Sequence, residues 1–278
     1  MKVGVVLPSF NKTFEEGLDL AAKYKFEGIQ IWASPYLDAS KQEKKDLLAK
    51  IEDKGLKISA ILLDTGYRML FVREGNERLM DMAKRLFDIA NEFGVTALTS
   101  HIGVVPKDKN SIWYEKLYTN FKELADYVYS ANCKFAVETG PEPSARLKEF
   151  LDSVNSKGAA VNLDPANLVS VHNEDPVQAV YNLKDYIIHT HAKDSKWIKP
   201  SNPEALYLPD IYNIPRQERG HYQEMPLGEG MVPWERYLKA LKDIGYDGYL
   251  TIERENGDNR EQDIVNGKNI LDNILRTL

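Results

Sequence analysis

Segments typical of β-strands alternate with segments typical of amphipathic helices along all 278 residues of this chain. Short β-branched apolar runs mark the strands, and apolar residues at i, i+3 and i+4 mark the helices. Strands that alternate with helices are parallel and are joined by right-handed crossovers. Eight such units predict a closed α/β barrel, the (β/α)8 or TIM barrel. The predicted strands are 2–7, 28–32, 56–62, 96–101, 134–138, 159–164, 187–191 and 248–253, and the predicted helices are about 13–25, 41–54, 76–93, 111–132, 144–156, 176–182, 234–244 and 260–277.

An open, doubly wound sheet is the alternative arrangement of these units. Such a sheet usually carries a glycine-rich phosphate-binding turn after its first strand. The corresponding turn here, residues 7–12, is Leu-Pro-Ser-Phe-Asn-Lys and contains no glycine. A length of 278 residues is also close to the ~250 residues of a typical barrel. We therefore expect a single barrel domain over residues 1–278, with one long βα loop at about 192–232.

Four of the predicted strands end in residue types that bind metal ions. Glu138, Asp164 and His191 end three successive strands at spacings of 26 and 27 residues, and Glu253 ends the last strand 62 residues later. In a barrel the carboxyl ends of the strands meet at one face, where the chemistry of such proteins occurs. Three carboxylates packed together repel one another and resist desolvation unless a cation neutralises them. The pattern predicts a metal site and an enzyme.

These residues also have simpler structural interpretations. Asp164 precedes a proline and can cap the turn that follows. Glu255 lies two residues beyond Glu253, on the same face of the strand, and is an alternative ligand. His189 shares a face with His191 but lies deeper in the strand, and we expect it to be a structural residue of the barrel. For the ligand set we expect one divalent cation, Mn²⁺ first, with Mg²⁺, Co²⁺ and Zn²⁺ as alternatives.

Composition and charge exclude several functional classes. The net charge is −6 and the pI is about 5.5, with no basic cluster, so we expect no nucleic-acid partner and no membrane partner. No apolar run approaches the ~20 residues that cross a bilayer. The N-terminal residues 1–10 are typical of a first strand rather than a signal peptide. The single cysteine, Cys133, excludes an internal disulfide and suits a reducing cytoplasm, where we expect the protein to act.

Short motifs around the four candidate ligands resemble a known family. Together they resemble the sugar-phosphate isomerase/epimerase group of the xylose isomerase-like TIM barrel superfamily, which also holds ketose 3-epimerases, inosose dehydratases and endonuclease IV. The resemblance covers essentially the whole chain and is specific for the superfamily but weak for the substrate. The motifs are Glu138-Thr-Gly, Asp164-Pro-Ala-Asn, His191-Ala-Lys-Asp, Pro226-Leu-Gly-Glu-Gly230 with Trp234, and Thr251-Ile-Glu253.

The resemblance implies that Glu138, Asp164, His191 and Glu253 hold the metal ion. It also implies that Glu138 and Glu253 form the catalytic acid/base pair. In such an enzyme the cation polarises a carbonyl and its neighbouring hydroxyl and lowers the cost of an enediolate. One glutamate removes a proton from the adjacent carbon and the other returns a proton, which isomerises or epimerises a sugar or sugar-derived polyhydroxy carbonyl compound.

Other functions remain open at this point. Dehydration of a keto-sugar or inosose by the same metal and base is the main alternative. An abasic-site endonuclease is less favoured, because in this superfamily that activity uses three zinc ions and additional histidines, and the chain is acidic. A non-catalytic sugar-binding protein is also less favoured, because all four candidate ligands are intact.

Departures from the ketose 3-epimerase pattern concern residues that would contact the substrate. The resemblance implies a histidine, an arginine and a glutamate where this chain has Asn167, Trp197 and Ser144. A free ketohexose is therefore a less expected substrate. Lys193, Glu142 and Asn167 become candidate substrate contacts in this chain.

Two further candidate contacts lie at other strand ends. His101 ends the fourth predicted strand and Trp32 ends the second, where an indole can stack on a sugar ring. A predicted lid at 67–69 contains Arg68, which can pair with a phosphate or carboxylate. A solvated surface arginine is the simpler interpretation of Arg68.

The segment 192–232 is longer than the ~15 residues of an ordinary loop. Its aromatic and apolar residues predict that it is ordered against something. We expect it to cover the pocket or to join a second copy of the chain in a homo-oligomer. His221 and Arg219 within this segment are candidate substrate contacts.

Overall fold

The centre of the structure is a closed barrel of eight strands, and each strand pairs in parallel with its two neighbours. The structure, a computed structural model, describes residues 1–63, 70–71, 77–218 and 220–278, with only the backbone of 77–79. The predicted single (β/α)8 barrel is confirmed. Its strands are β1 (Lys2–Val6), β2 (Gly28–Trp32), β3 (Lys57–Leu62), β4 (Ala97–Ser100), β5 (Lys134–Glu138), β6 (Ala159–Leu163), β7 (Ile187–Ala192) and β10 (Tyr249–Ile252), and β1 closes the barrel against β10.

Helices surround the barrel and begin where the sequence provides caps. Thr13 and Ser40 each accept a hydrogen bond from the backbone of a glutamate three residues later, and Glu16 and Glu43 bond back to the caps. Short 3₁₀ turns, Leu7–Phe10 and Ser34–Tyr36, follow β1 and β2. The α-helices of the described residues are α1 (Phe14–Lys23), α2 (Lys41–Asp53), α3 (Glu77–Glu92), α4 (Ile112–Ser130), α5 (Ser144–Val154), α6 (Pro165–His172), α7 (Pro176–Leu183), α8 (Pro203–Tyr207), α9 (Pro209–Tyr212), α10 (Trp234–Asp243) and α11 (Arg260–Thr277).

The hydrophobic core lies between the helices and the barrel. Phe121 of α4 lies 5.3 Å from Phe135 of β5 and 5.6 Å from Phe150 of α5, measured between ring centres. Phe87 of α3 lies 5.9 Å from Phe135. Burial of one such side chain contributes ~1.5–3 kcal/mol relative to exposure. This layer, more than local helix propensity, fixes the helices on the barrel.

The segment between β7 and α10 differs from the predicted irregular loop. It contains an antiparallel pair, β8 (Asp194–Trp197) and β9 (Tyr222–Met225), with α8 and α9 between them. The turn predicted after Asp164 is also longer than expected and forms helix α6. Short elements of this kind depend on tertiary contacts, which local sequence patterns do not contain.

The carboxylate of Asp194 fixes the end of this segment. It is 1% exposed. Its oxygens accept five hydrogen bonds from described residues, three of them from the turn that leads into α10 and one from the first residue of that helix. The donors are the backbone N–H groups of Ser195, Gly228, Gly230 and Val232 and the indole N–H of Trp234.

Two remaining expectations concern membranes and the lid. Among the described residues there is no helix with the length and apolar character needed to cross a membrane. The predicted lid at 67–69, including Arg68, lies outside the described residues.

Candidate metal centre and active site

The carboxyl ends of four barrel strands bring together the side chains of Glu138, Asp164, His191 and Glu253. Glu138 is the last residue of β5, Asp164 and Glu253 directly follow β6 and β10, and His191 lies in β7. Each residue offers one ligand atom, and these atoms all lie within 4.8 Å of one another. The convergence expected from the spacing of these residues is present in the fold, because successive parallel strands end at one face of the barrel.

The centre is buried, and two of its atoms lack hydrogen-bond partners within the part of the chain that the structure describes. His191 Nδ1 lies 3.6 Å from Glu138 Oε1, 3.6 Å from Asp164 Oδ2 and 3.4 Å from Glu253 Oε2. Asp164 Oδ2 and His191 Nδ1 are buried and have no hydrogen-bond partner among the described residues. An unsatisfied buried polar atom costs ~1–3 kcal/mol. A divalent cation among the four ligand atoms would satisfy both, so the residues present fit a metal ion.

The ring of His191 is oriented by residues inside the barrel. Its Nε2 lies 3.0 Å from Gln30 Oε1 and 3.2 Å from Asn162 Nδ2, and only the Gln30 oxygen can accept a proton from it. The Gln30 amide is itself fixed, because its Nε2 donates to Thr99 Oγ1 at 2.6 Å. With the proton on Nε2, the lone pair of Nδ1 faces the carboxylates, as a metal ligand requires.

His189 has a structural role, as the sequence led us to expect. It is 1% exposed, and both ring nitrogens have partners. Its Nδ1 lies 2.9 Å from Asn162 Oδ1 and its Nε2 lies 2.9 Å from Thr251 Oγ1. Burial lowers the pKa of His189 well below its usual value, so the ring is neutral inside the barrel.

Asp164 caps the helix that follows it and also directs one oxygen toward the candidate metal centre. Its Oδ1 accepts a hydrogen bond from the backbone N–H of Asn167 at 2.9 Å and caps α6, whereas Oδ2 faces the centre. The Asn167 side chain donates from Nδ2 to Glu138 Oε1 at 3.1 Å, which links the two carboxylates. Gly140 permits this packing: its φ is +136°, and an added Cβ would lie 2.4 Å from the Cβ of Asn167.

The electrostatics of the centre favour ionised Glu138 and Glu253 beside positive charge, whereas burial raises the pKa of Asp164. Burial alone would raise the pKa of Glu253, but Lys193 and His191 lower it well below its usual value. For Glu138, burial is likewise outweighed by His101 and His191, and the pKa is lowered. Burial would lower the pKa of His191, yet the carboxylates of Glu253 and Glu138 raise it well above its usual value. Positive charge thus stabilises the Glu138 and Glu253 carboxylates, and a cation bound at the lone pair of His191 Nδ1 would supply it in place of a second ring proton.

A cavity of about 430 Å³ opens beside these residues, which is large enough for one sugar ring. Several predicted substrate contacts line this cavity. His101 Nε2 lies 3.5 Å from Glu138 Oε1, and Lys193 Nζ donates to Glu253 Oε2 at 2.8 Å and to Glu255. The predicted contacts among the lining residues are Trp32, His101, Asn167 and Lys193.

The other predicted substrate contacts lie elsewhere. Glu142 is 1% exposed and accepts a hydrogen bond from the Val105 N–H at 2.9 Å, so it fixes a neighbouring loop instead of lining this cavity. His221 bonds through Nδ1 to the carbonyl of Pro200 at 2.8 Å and lines a separate, adjoining cavity. Arg219 lies outside the described residues.

Sequence reasoning missed several residues of the site. Gln30 had a detectable signal, since it is a polar residue in the apolar strand Gly-Ile-Gln-Ile-Trp and shares the face of Trp32. Tyr207 and Tyr222 line the cavity from the 192–232 segment. No local pattern distinguishes them from the other tyrosines of the chain.

The fold and this four-residue centre define a (β/α)8 protein with a potential metal site at the carboxyl ends of its strands. The family model described as xylose isomerase-like TIM barrel matches residues 18–274. The chain belongs to this family, which confirms the resemblance found in its motifs.

Individual relatives are distant. An uncharacterized protein of Methanocaldococcus jannaschii is 26% identical over 212 residues, covering 72% of this chain and only 61% of that protein. The putative L-ribulose-5-phosphate 3-epimerase SgbU of Haemophilus influenzae is 23% identical over 283 residues, covering 94% of this chain and 91% of that protein. Among solved structures, the xylose isomerase domain protein from Planctomyces limnophilus is similar, with a TM-score of 0.77, 25% identity and coverage of 94% and 91% of the two chains.

Proposed function

We propose that the protein is a divalent-metal-dependent isomerase or epimerase acting on a sugar or a sugar-derived polyhydroxy carbonyl compound. The observation that carries this proposal is the buried centre of Glu138, Asp164, His191 and Glu253, in which Asp164 Oδ2 and His191 Nδ1 have no hydrogen-bond partner in the described ranges of the chain. Membership of the xylose isomerase-like family and similarity to a relative named as a putative epimerase support it.

The four side chains would hold one divalent cation. Three carboxylate oxygens and one imidazole nitrogen suit Mn²⁺, Mg²⁺ or Co²⁺, and Zn²⁺ also binds such sets. Mn²⁺ stays our prediction for the native ion. When bound, the cation would supply Lewis acidity toward a carbonyl and its neighbouring hydroxyl.

The chain's own residues would move the proton. Glu138 and Glu253 border the same cavity, and their lowered pKa values keep both carboxylates ionised, which is the state that can accept a proton from a carbon next to a carbonyl. Asn167 holds Glu138 through Oε1, and Lys193 holds Glu253 through Oε2. Delivery of a proton by the opposite glutamate, which would first take that proton up from solvent, would give epimerisation at the same carbon or isomerisation toward the next carbon.

Solvent-proton exchange tests the proposal directly. The protein, supplied with Mn²⁺, is incubated in D₂O with a panel of ketoses and keto-sugars, and deuterium uptake at carbon is followed by NMR and mass spectrometry. We expect uptake in at least one sugar and a loss of ~10²-fold or more in Glu138→Gln and in Glu253→Gln. Glu235→Gln, a matched change at an exposed glutamate of α10, should exchange like the wild type.

The same assay separates the alternatives. Deuterium uptake with a changed configuration or carbonyl position supports the proposal, whereas loss of water from the sugar would assign a dehydratase instead. Binding of sugar and Mn²⁺ without any exchange across the panel would indicate a sugar-binding protein. Exchange that persists in both glutamine variants would refute the assigned proton carriers.

A further inference from the structure

A second cavity, of about 340 Å³, adjoins the candidate active site near the ends of β1 and β2. Trp32 lines both this cavity and the one that contains Glu138 and Glu253, so the two are neighbours at the mouth of the barrel. We call the second one the Trp32 cavity. Its other apolar lining residues are Leu7, Pro8, Phe14, Ile31, Pro35 and Tyr36.

The Trp32 cavity offers a sugar ring few polar partners. Among the described residues its polar lining groups are the Lys12 ammonium, the Thr13 hydroxyl and the Tyr36 phenol hydroxyl. The Thr13 hydroxyl already donates to Glu16 Oε2 at 2.7 Å and accepts from the Glu16 N–H at 3.3 Å, as the cap of α1. A second sugar ring would leave several hydroxyls without partners here, which is unfavourable. An alkyl or aryl group has no such groups to satisfy.

The Trp32 side chain is exposed to solvent, and a bound ligand could cover it. It is 40% exposed, although the four residues before it in β2 are buried. Its indole therefore presents apolar surface at the edge of a polar site, where an aromatic or alkyl group would cover it. Tyr222 is 46% exposed and lines the active-site cavity but not the Trp32 cavity, which makes it a natural comparison.

The third cavity of this face, about 960 Å³, has a different character. It shares Asn167, Tyr207, Tyr222 and Glu255 with the active-site cavity. Amide side chains at 217, 223 and 256 also line it, and these can pair with hydroxyl groups. A substrate that carries a further sugar unit would place that unit in this large cavity. A substrate that carries an apolar substituent would place it in the Trp32 cavity.

We propose that the substrate is a keto-sugar that carries an alkyl or aryl substituent, as an aryl glycoside does, and that this substituent lies in the Trp32 cavity. The inference rests on the proposed function for the sugar portion and adds the class of substrate. Trp32, Phe14 and Tyr36, which line this cavity, would then determine specificity without taking part in proton transfer.

A pair of glucosides tests this assignment by binding alone. The probes are the keto derivatives of phenyl β-D-glucoside and methyl β-D-glucoside, oxidised at the same ring carbon, which share the sugar and differ in the substituent. The affinities of these phenyl and methyl glucosides are compared by isothermal titration calorimetry with Mn²⁺ present. The wild type should bind the phenyl glucoside about tenfold or more tightly, because the phenyl ring buries more apolar area. Trp32→Ala should reduce this preference below about threefold, whereas Trp32→Phe should keep most of it.

Control variants separate the subsite from general effects. Tyr222→Ala should weaken both glucosides alike and leave the preference unchanged. Tyr129→Ala, at a 48% exposed tyrosine of α4, should change neither affinity. If Trp32→Ala does not fold, Phe14→Ser tests the subsite instead, since it should weaken binding of the phenyl glucoside more than binding of the methyl glucoside.

Several results would overturn the assignment. The wild type could bind the two glucosides with equal affinity, or it could bind neither of them. The preference for the phenyl glucoside could also persist in a folded Trp32→Ala variant. Tighter binding of a disaccharide than of the phenyl glucoside would place the extension in the large cavity instead. If the wild type prefers the phenyl glucoside as expected but catalyses no proton exchange, the proposed function is refuted. The assignment of the Trp32 cavity to the substituent then still stands.

Discussion

Glu142 should make the stability of this protein depend on pH, and Glu142→Gln should remove that dependence. Glu142 is 1% exposed, one carboxyl oxygen accepts from the Val105 N–H, and the other has no hydrogen-bond partner among the residues that the structure describes. Burial raises the pKa of Glu142 from 4.5 to about 7. The folded state therefore holds the proton more tightly than the unfolded state. The stability contributed by this proton is fully present below about pH 4.5 and is lost as the pH rises to about 7.

The magnitude follows from the difference in pKa. Each pKa unit corresponds to ~1.4 kcal/mol, so the ionised carboxylate of Glu142 lowers the free energy of unfolding by about 3 kcal/mol above neutral pH. A glutamine stays neutral and can still accept from the Val105 N–H. The free energy of unfolding of Glu142→Gln, relative to that of the wild type, should therefore rise by about 2–3 kcal/mol as the pH increases from 5 to 8.

Urea denaturation of both proteins at pH 5, 6, 7 and 8 measures this difference. A gain of this size corresponds to a rise in melting temperature of ~5–9 °C at pH 8, which calorimetry can check. Glu149→Gln is the matched control, because Glu149 is an exposed glutamate of α5. A Glu142→Gln effect that is the same at pH 5 and pH 8 would show that the carboxylate is not held in an unfavourable charged form.

Three further predictions concern residues that hold the candidate site and its neighbouring segment in position. Asp194→Ala should lower the free energy of unfolding by at least about 3 kcal/mol, because five donors lose a charged acceptor, and a melting temperature within ~2 °C of the wild type would contradict this. Gln30→Leu should weaken Mn²⁺ binding about 10- to 100-fold by releasing the His191 ring, whereas unchanged affinity in a calorimetric titration would exclude this role. Gly140→Ala should destabilise the protein by ~2 kcal/mol or more and displace Asn167, which thermal melting and a crystal structure of the variant would detect.

The barrel was largely predictable because its information is local and periodic. The strand at 28–32 and the strand at 134–138 have the predicted bounds, and the helix at 260–277 does as well. Period-two and 3.6-residue patterns extend over consecutive residues, and the βα alternation then restricts the topology to parallel crossovers. The segment 192–232 lacks such a pattern. Its β8–β9 hairpin and short helices depend on contacts such as those of Asp194.

The candidate substrate residues were harder to predict than the candidate ligands. Position at a strand end was enough to bring Trp32, His101 and Lys193 to the cavity, because the barrel directs strand ends to one face. The same reasoning failed to show that Glu142 turns toward Val105. The direction of a loop side chain depends on which buried donor needs an acceptor, and that donor lies 37 residues away in the chain.

The sequence by itself determined the barrel, the family and the four side chains that meet at its mouth, because strand order and strand length place those side chains without any knowledge of packing. Only the tertiary structure decided how the centre is held. Gln30, 161 residues from His191, faces the ring nitrogen that must carry the proton, and Asp164 divides its two oxygens between a helix cap and the centre. Buried polar groups must find partners wherever the fold supplies them, and those partners come from distant strands that no local pattern connects.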